Sequence, residues 1–203
     1  MTRRGYHHGN LRQALVDAAL GLIAEKGPQG FTLSEAAKKA DVTPAAVYRH
    51  FTGRDELIVE IARQGYDIFG ALMEFAFDDG KPTALAAFES VGRAYLAFAR
   101  KYPGHYQAMF ESGISVQEHP DLDLAARKAT DVLERAATRL SDHLPPEKRP
   151  PASMFSAHMW AMAHGVVELY TRGGRRAPFA PDDLLETGIG IYLRGLGLLP
   201  QDR

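Results

Sequence analysis

The chain has no cysteine among its 203 residues, which removes disulfides and thiolate metal sites from consideration. A chain without thiols fits a reducing cytoplasm, the compartment expected here, and is compatible with others. No apolar run approaches the length that crosses a bilayer, so no membrane partner is expected. The start, Met1-Thr2-Arg3-Arg4, is basic, but it leads into Gly5-Tyr6-His7-His8 rather than an apolar signal core. Repeats and low-complexity tracts are missing, and no alternating stretch is long enough for a sheet. There is no Gly-rich phosphate loop, nucleophile elbow or zinc-protease spacing. Gly188 and Gly190 are too short a match for a dinucleotide fingerprint. His158 and His164 share no helix face, and His7, His8 and His105 have no clustered carboxylate. Neither a metal nor a cofactor is expected.

What is present is ordinary for a globular chain, 45% hydrophobic and 24% charged. The formal net charge of -1 conceals an asymmetry. Residues 1–54 hold Arg3, Arg4, Arg12, Lys26, Lys38, Lys39, Arg49 and Arg54 against Asp17, Glu25, Glu35 and Asp41, a balance of +4. The remainder carries 16 basic and 21 acidic residues, or −5. A basic head on an acidic body suits contact with a polyanion.

Apolar periodicity predicts helices almost throughout. Leu11, Leu15, Ala18, Leu22 and Ile23 recur at helical spacing behind an Asn10/Gln13 capping box, and Gly27-Pro28-Gln29-Gly30 ends that helix. Thr32 with Glu35 makes a second capping box, opening a helix from Leu33 to about Ala40. Asp41-Val42-Thr43 turns the chain, and Thr43 caps a third helix, Pro44 to His50, with proline where a missing N–H costs nothing. A fourth helix starts near Thr52 to Asp55 and runs to about Phe77. Further helices are predicted near 82–102, 104–113, 120–143, 151–172 and 181–197. The fold class is therefore all-α.

The pair of short helices over residues 33–51 has the spacing of a helix-turn-helix. Ala36 and Ala37 let the helices approach, and Val42 and Val47 close the seam. Asp41 occupies the turn, where a left-handed backbone favours glycine and tolerates aspartate. Small side chains at the start of the third helix let it sink into a major groove, where alanine methyls meet thymine methyls. Tyr48 and His50 offer polar tips for phosphates, and Arg49 reads a base edge or holds the backbone.

Here the sequence resembles a known family. Gly30-Phe31-Thr32-Leu33-Ser34-Glu35-Ala36-Ala37, then Ala40-Asp41-Val42-Thr43, then Val47-Tyr48-Arg49-His50-Phe51 and Arg54-Asp55-Glu56-Leu57 look like the DNA-binding head of TetR-family transcriptional regulators. The likeness spans about residues 10–60. It implies that Thr32, Tyr48, His50 and Arg54 hold phosphates, and that Thr43, Ala45, Ala46 and Arg49 lie nearest the bases. Asp41 stands where the family usually has glycine, and Arg54 where lysine is common. The arm with Arg3 and Arg4 either enters the minor groove or is a disordered basic tail. Residues 1–54 are thus expected to form a three-helix DNA-binding head with an arm at 1–9, and 55–203 a larger helical ligand-sensing and dimerisation body.

In the body, Trp160-Ala161-Met162-Ala163-His164-Gly165-Val166-Val167-Glu168-Leu169 and Tyr102-Pro103-Gly104-His105-Tyr106-Gln107-Ala108-Met109-Phe110 resemble a TetR C-terminal subfamily with a W…HG segment. Trp160 and His164 share one helix face, and Gly165 permits a close neighbour. With Phe69, Met73, Tyr95, Met109, Phe110 and Met159 they form either the wall of a hydrophobic ligand site or an ordinary core. The last two helices are apolar on more than one face. Resemblance implies that they build a four-helix homodimer interface, with Leu185, Ile189 and Leu193 as candidates.

The expected function is transcription regulation: a dimer on palindromic double-stranded operator DNA, released by a small-molecule effector, with repression as the family's usual mode and activation as the alternative. An all-helical enzyme would have to use His105, His158 or His164 with Glu111 or Glu168. These residues form no motif, and an enzyme leaves the basic head unexplained.

Overall fold

A computed structural model of the chain describes residues 11–171 and 178–200. The arm residues Arg3 and Arg4 and the capping residue Asn10 lie outside the described residues. Nine α-helices, and no strand, are found among those described: α1 (Leu11–Lys26), α2 (Leu33–Lys39), α3 (Pro44–Val47), α4 (Arg54–Phe77), α5 (Ala84–Lys101), α6 (Pro103–Phe110), α7 (Pro120–Ser141), α8 (Ala152–Thr171) and α9 (Pro181–Leu196). The fold is all-α, as the periodicity predicts. Among the described residues no helix is long and apolar enough to cross a membrane.

The helix ends follow the chemistry of the sequence. Thr32 and Glu35 make the full reciprocal capping box at the start of α2. Thr43 and Pro44 open α3 as expected, although the Thr43 hydroxyl makes no cap hydrogen bond. The turn after α2 is a Schellman closure: Val42 N donates to Ala37 O at 3.0 Å and Asp41 N to Lys38 O at 3.2 Å. It places Asp41 at φ 56°, the left-handed position anticipated for it. Helix α3 is shorter than the expected Pro44 to His50. After Val47 the amides of His50 and Phe51 both return to the Val47 carbonyl, at 2.8 and 3.0 Å, and the chain continues as a turn.

The chain forms two compact units. The first is Met1–Tyr66 with Tyr102–Leu124, and the second is Asp67–Lys101 with Ala125–Arg203. The first unit therefore differs from the head expected to end at residue 54, because α6 returns to it. Glycine allows this return. A Cβ on Gly104 would stand 3.0 Å from Leu20 Cδ2, and one on Gly65 would stand 2.6 Å from Met109 Sδ. Leu15, Val16, Ala19, Ile23, Val47, Phe51, Leu57, Ile58 and Ile61 form the core of this unit, each at most 1% exposed.

In the second unit α5, α8 and α9 pack on one another. Gly92 of α5 is the close-approach point, where a Cβ would be 3.4 Å from both Leu185 and Ile189. Phe69, Met73, Phe88, Val91, Tyr95, Phe98, Phe155 and Met159 are at most 1% exposed here. Fully burying such a side chain contributes roughly 1.5–3 kcal/mol.

Candidate functional site

The face that α3 turns outward carries most of the residues expected at DNA. Thr43, Ala45, Tyr48 and Arg49 are exposed, Ala46 and His50 are half-buried, and Val47 alone in the helix is buried. Tyr48 is 60% exposed, far more than packing would leave a tyrosine that served the core. Thr32 is exposed as well, with its hydroxyl held by Glu35 through bonds of 3.1 and 3.2 Å. Arg54 is placed otherwise. Its guanidinium donates to the Gln29 carbonyl at 3.2 Å, to Gln29 Oε1 at 2.9 Å and to Asp55 at 3.2 Å. Gln29 in turn donates to the Ser112 carbonyl. The expected phosphate ligand is thus engaged within its own unit.

Ion pairing changes how the +4 head presents itself. Lys26 pairs with Glu35, Lys39 with Glu25, Arg54 with Asp55 and Arg12 with Glu60. Hydrogen bonding to Lys39 lowers the Glu25 pKa, and hydrogen bonding to Lys26 lowers that of Glu35. Among the described residues 11–54, Lys38 and Arg49 are the cations with no ion pair or hydrogen bond. Arg49 is also exposed, in the turn that follows α3. An uncommitted guanidinium can present its fork of donors to a base edge.

Sequence reasoning missed the role of Arg12. It stands at the start of α1, 38 residues from His50 and 48 from Glu60, beyond the reach of any local pattern. Its Nη1 donates to the His50 carbonyl at 3.0 Å, its Nη2 to Glu60 Oε2 at 3.2 Å, and its guanidinium carbon lies 4.4 Å from the centre of the Phe51 ring. Burial works against ionisation of Glu60, yet hydrogen bonds from Arg63, Gln64 and Arg12 bring its carboxyl down to about 2.

The expected ligand residues divide between the units. Met109 and Phe110 belong to the first, where Phe110 packs against Tyr66 and Tyr106 at 6.0 and 4.8 Å. Phe69, Met73, Tyr95, Met159, Trp160 and His164 belong to the second. There Phe69 meets Tyr95 at 5.2 Å and Trp160 at 6.1 Å, and Tyr95 meets Trp160 at 5.3 Å, all edge to face. The Tyr95 hydroxyl bonds His164 Nδ1 at 2.9 Å, and His164 Nε2 lies 3.9 Å from Glu168. Phe69 and Tyr95 are buried in this cluster, and Trp160 and His164 are half-buried at its edge. A cleft of about 190 Å³ opens beside it, lined by Leu96, Ala99, Arg100, Val167, Tyr170 and Pro181. Gly165 is exposed, and among the described residues no atom beyond its chain neighbours and its own helix backbone lies within 4 Å of the position a Cβ would take.

Leu185, Ile189 and Leu193 must be corrected as interface candidates. They are 1%, 2% and 0% exposed within the single chain, because that stripe of α9 faces α5 and α8. The large apolar residues that the two last helices leave exposed are Met154, Leu169 and Ile191, at 53%, 59% and 65% exposure. Of the histidines of the enzyme alternative, His105 belongs to the first unit and His158 and His164 to the second. Burial lowers the His105 pKa with Asp17 opposing, while His158 bonds Tyr192 at 2.8 Å and His164 bonds Tyr95. No group of three or more potential metal ligands occurs among the described residues.

Comparison with known proteins agrees with this geometry. The family described as bacterial regulatory proteins, tetR family, matches residues 15–61. The one described as tetracyclin repressor-like, C-terminal domain, matches residues 88–192, more than half of the chain. The narrower W…HG likeness stays a likeness of motif. An uncharacterized HTH-type transcriptional regulator of Bacillus subtilis (strain 168), YobS, is 30% identical over 100 residues. That match covers 49% of this chain and spans about half, 51%, of the relative's length. A protein of unknown function from Rhodococcus sp. RHA1 has a solved structure 25% identical to this chain, with a TM-score of 0.80, covering 95% of this chain and 98% of that one. AibR, solved in complex with isovaleryl coenzyme A and operator DNA, is 17% identical and shares the fold at a TM-score of 0.68, over 89% of this chain and 97% of that one. The two family matches place a helix-turn-helix head and a regulator-type C-terminal domain in one polypeptide, and the chain belongs to the TetR family of transcriptional regulators, not to an enzyme family.

Proposed function

We propose that the protein is a homodimeric cytoplasmic repressor whose α3 helices read a palindromic operator in successive major grooves. A small hydrophobic effector, bound in the body, releases the DNA. The observation that carries the reading is the exposed stretch of α3 and the turn after it, with Thr43, Ala45 and Tyr48 exposed alongside an uncommitted Arg49. Two such helices about 34–36 Å apart suit two half-sites one helical turn apart. Tyr48, His50 and Thr32 hold phosphates in this reading, and Arg49 with Ala45 and Ala46 meets the bases. Met154, Leu169 and Ile191 are the apolar anchors of the dimer. The presence of an acyl coenzyme A and operator DNA in the AibR complex supports the effector half of the reading. The cleft that starts at Leu96, one residue on from Tyr95, is where the effector enters.

The test is selection of genomic fragments by the full-length protein at moderate salt. One palindromic motif is expected, with log affinity falling against log salt by about 0.9 per phosphate contact. Tyr48→Phe should weaken all duplexes alike, whereas Arg49→Ala should relax preference at one base position. Recovery of no enriched motif overturns the reading. Sedimentation of Ile191→Glu should show monomers, and a wild-type monomer at micromolar concentration would remove the dimer. Trp160, the only tryptophan, reports the effector: a compound that releases DNA should also change its emission saturably.

A further inference from the structure

We propose that Arg12 is a positioning residue for DNA recognition, a clamp between α1 and α4 that sets the pose of α3 without touching DNA. The inference rests on the reading that α3 enters the groove.

Helix α3 has little of its own to hold it. It is four residues long, and Val47 is its only buried side chain. A rigid Schellman turn fixes its entry. Its exit is a turn in which two amides share the Val47 carbonyl, so the carbonyls that follow have no helical donor. Arg12 supplies one: Nη1 holds the His50 carbonyl at 3.0 Å. The same guanidinium lies over Phe51, the 1% exposed ring that seats the exit in the core. Its other nitrogen bonds Glu60 at 3.2 Å.

Glu60 is a firm anchor for this clamp. Its side chain is 13% exposed and also accepts from Arg63 at 2.9 Å and Gln64 at 2.8 Å. Gln13, one residue beyond Arg12, exchanges hydrogen bonds with Gln64 and ties the two helices a second time. A planar fork is needed to serve a carbonyl and a carboxylate together while stacking on a ring. Lysine, with one compact ammonium, cannot do all three. Hydrogen bonds to base edges weaken steeply with misalignment. A small rotation of α3 therefore costs sequence reading before it costs grip on the phosphates.

The experiment compares full-length wild type with Arg12→Lys, Arg12→Gln and Glu60→Gln. Affinity is measured for the selected operator and for a mixed-sequence duplex across a salt series, and hydrogen exchange is followed over residues 44–52. Arg12→Lys keeps the charge but breaks the fork, so operator affinity should fall about tenfold, the scale of a lost charge-assisted hydrogen bond. Mixed-sequence affinity and the salt slope should stay at wild-type values, and exchange should quicken at residues 48–52 alone. Glu60→Gln keeps an acceptor and should lose operator preference by a factor of about three. A merely stabilising role would scale all duplexes equally and leave the preference unmoved. Three results overturn the proposal: an unchanged preference in Arg12→Lys, unchanged exchange at residues 48–52, or rescue by lysine with a salt slope lowered by about 0.9 in Arg12→Gln, which marks a phosphate contact. If the wild type shows no operator preference, the DNA reading of α3 falls by itself, and the exchange measurement still decides the clamp.

Discussion

The two units hold their helices in different ways. In the first, long-range polar bonds join elements that are far apart in sequence: Arg12 to His50 and Glu60, Gln13 to Gln64, Arg54 to Gln29, and Gln29 to Ser112. In the second, aromatic rings interlock, Phe69 with Tyr95, Phe98 and Trp160, and Phe155 with Phe88 and Tyr192. Several of its ion pairs, such as Arg93 with Glu186 and Arg135 with Glu74, lie on the surface. Hydrogen bonds are directional, and they fix a helix in one rotation. Aromatic packing is strong but tolerates small changes of angle. A unit that presents a helix in register needs the first kind of bond. One that adapts to a ligand is served by the second.

The largest effect should come from the aromatic side of this comparison. Phe69→Ala removes a fully buried ring that meets three others, and should cost about 3–5 kcal/mol in urea unfolding. A loss below about 1 kcal/mol would mean that the rings are not the main support of the second unit.

Next comes the polar side, read by acid. Glu60 titrates near 2 in the folded chain against an ordinary 4.5. A depressed carboxyl pKa stabilises the fold fully above the ordinary value, and this contribution is lost as pH falls from about 4.5 towards 2. The contribution is on the order of 3 kcal/mol. Urea midpoints taken from pH 6 down to pH 3 should therefore fall less steeply in Glu60→Gln than in wild type. Parallel curves would show that the Arg12, Arg63 and Gln64 bonds do not act together.

A smaller effect sharpens the contrast, because it removes a polar bond from the aromatic unit. Tyr95→Phe keeps the ring and deletes the bond to His164, so it should cost about 1 kcal/mol. The smallest effect lies in the turn of the head. Asp41→Gly relieves a left-handed backbone at φ 56° and should raise stability by about 0.5 kcal/mol, a shift of about 1–2 °C in melting temperature. A loss on that substitution would show that the aspartate side chain does more than tolerate the turn.

The head was readable because its information is local. The Thr32–Glu35 box, the Asp41 turn and the Thr43-Pro44 start each lie within four residues, and the structure has all three. What escaped was long-range. Nothing near Arg12 in sequence points to Glu60, and nothing near Gln29 points to Ser112. In the body, periodicity found the helices but could not say which apolar stripe faces which neighbour. Both the Leu185, Ile189, Leu193 stripe and Ile191 are apolar, and only the packing, with Leu185 and Ile189 against Gly92, shows that the former is buried within the single chain. The same limit applies to Trp160 and His164, whose spacing suits a wall and a core alike.

The return of α6 to the first unit bears on modularity. A polypeptide that stopped at Tyr66 would carry every residue expected at the bases, yet it would bare the face of α1 at Leu20 and leave Gln29 without Ser112. Arg54 would then be tethered to a loop that had lost its own support. A minimal DNA reader from this chain is therefore discontinuous: residues 102–124 must be rejoined to the head by a short linker, or supplied as a second peptide, for the isolated piece to keep the shape it has in the whole.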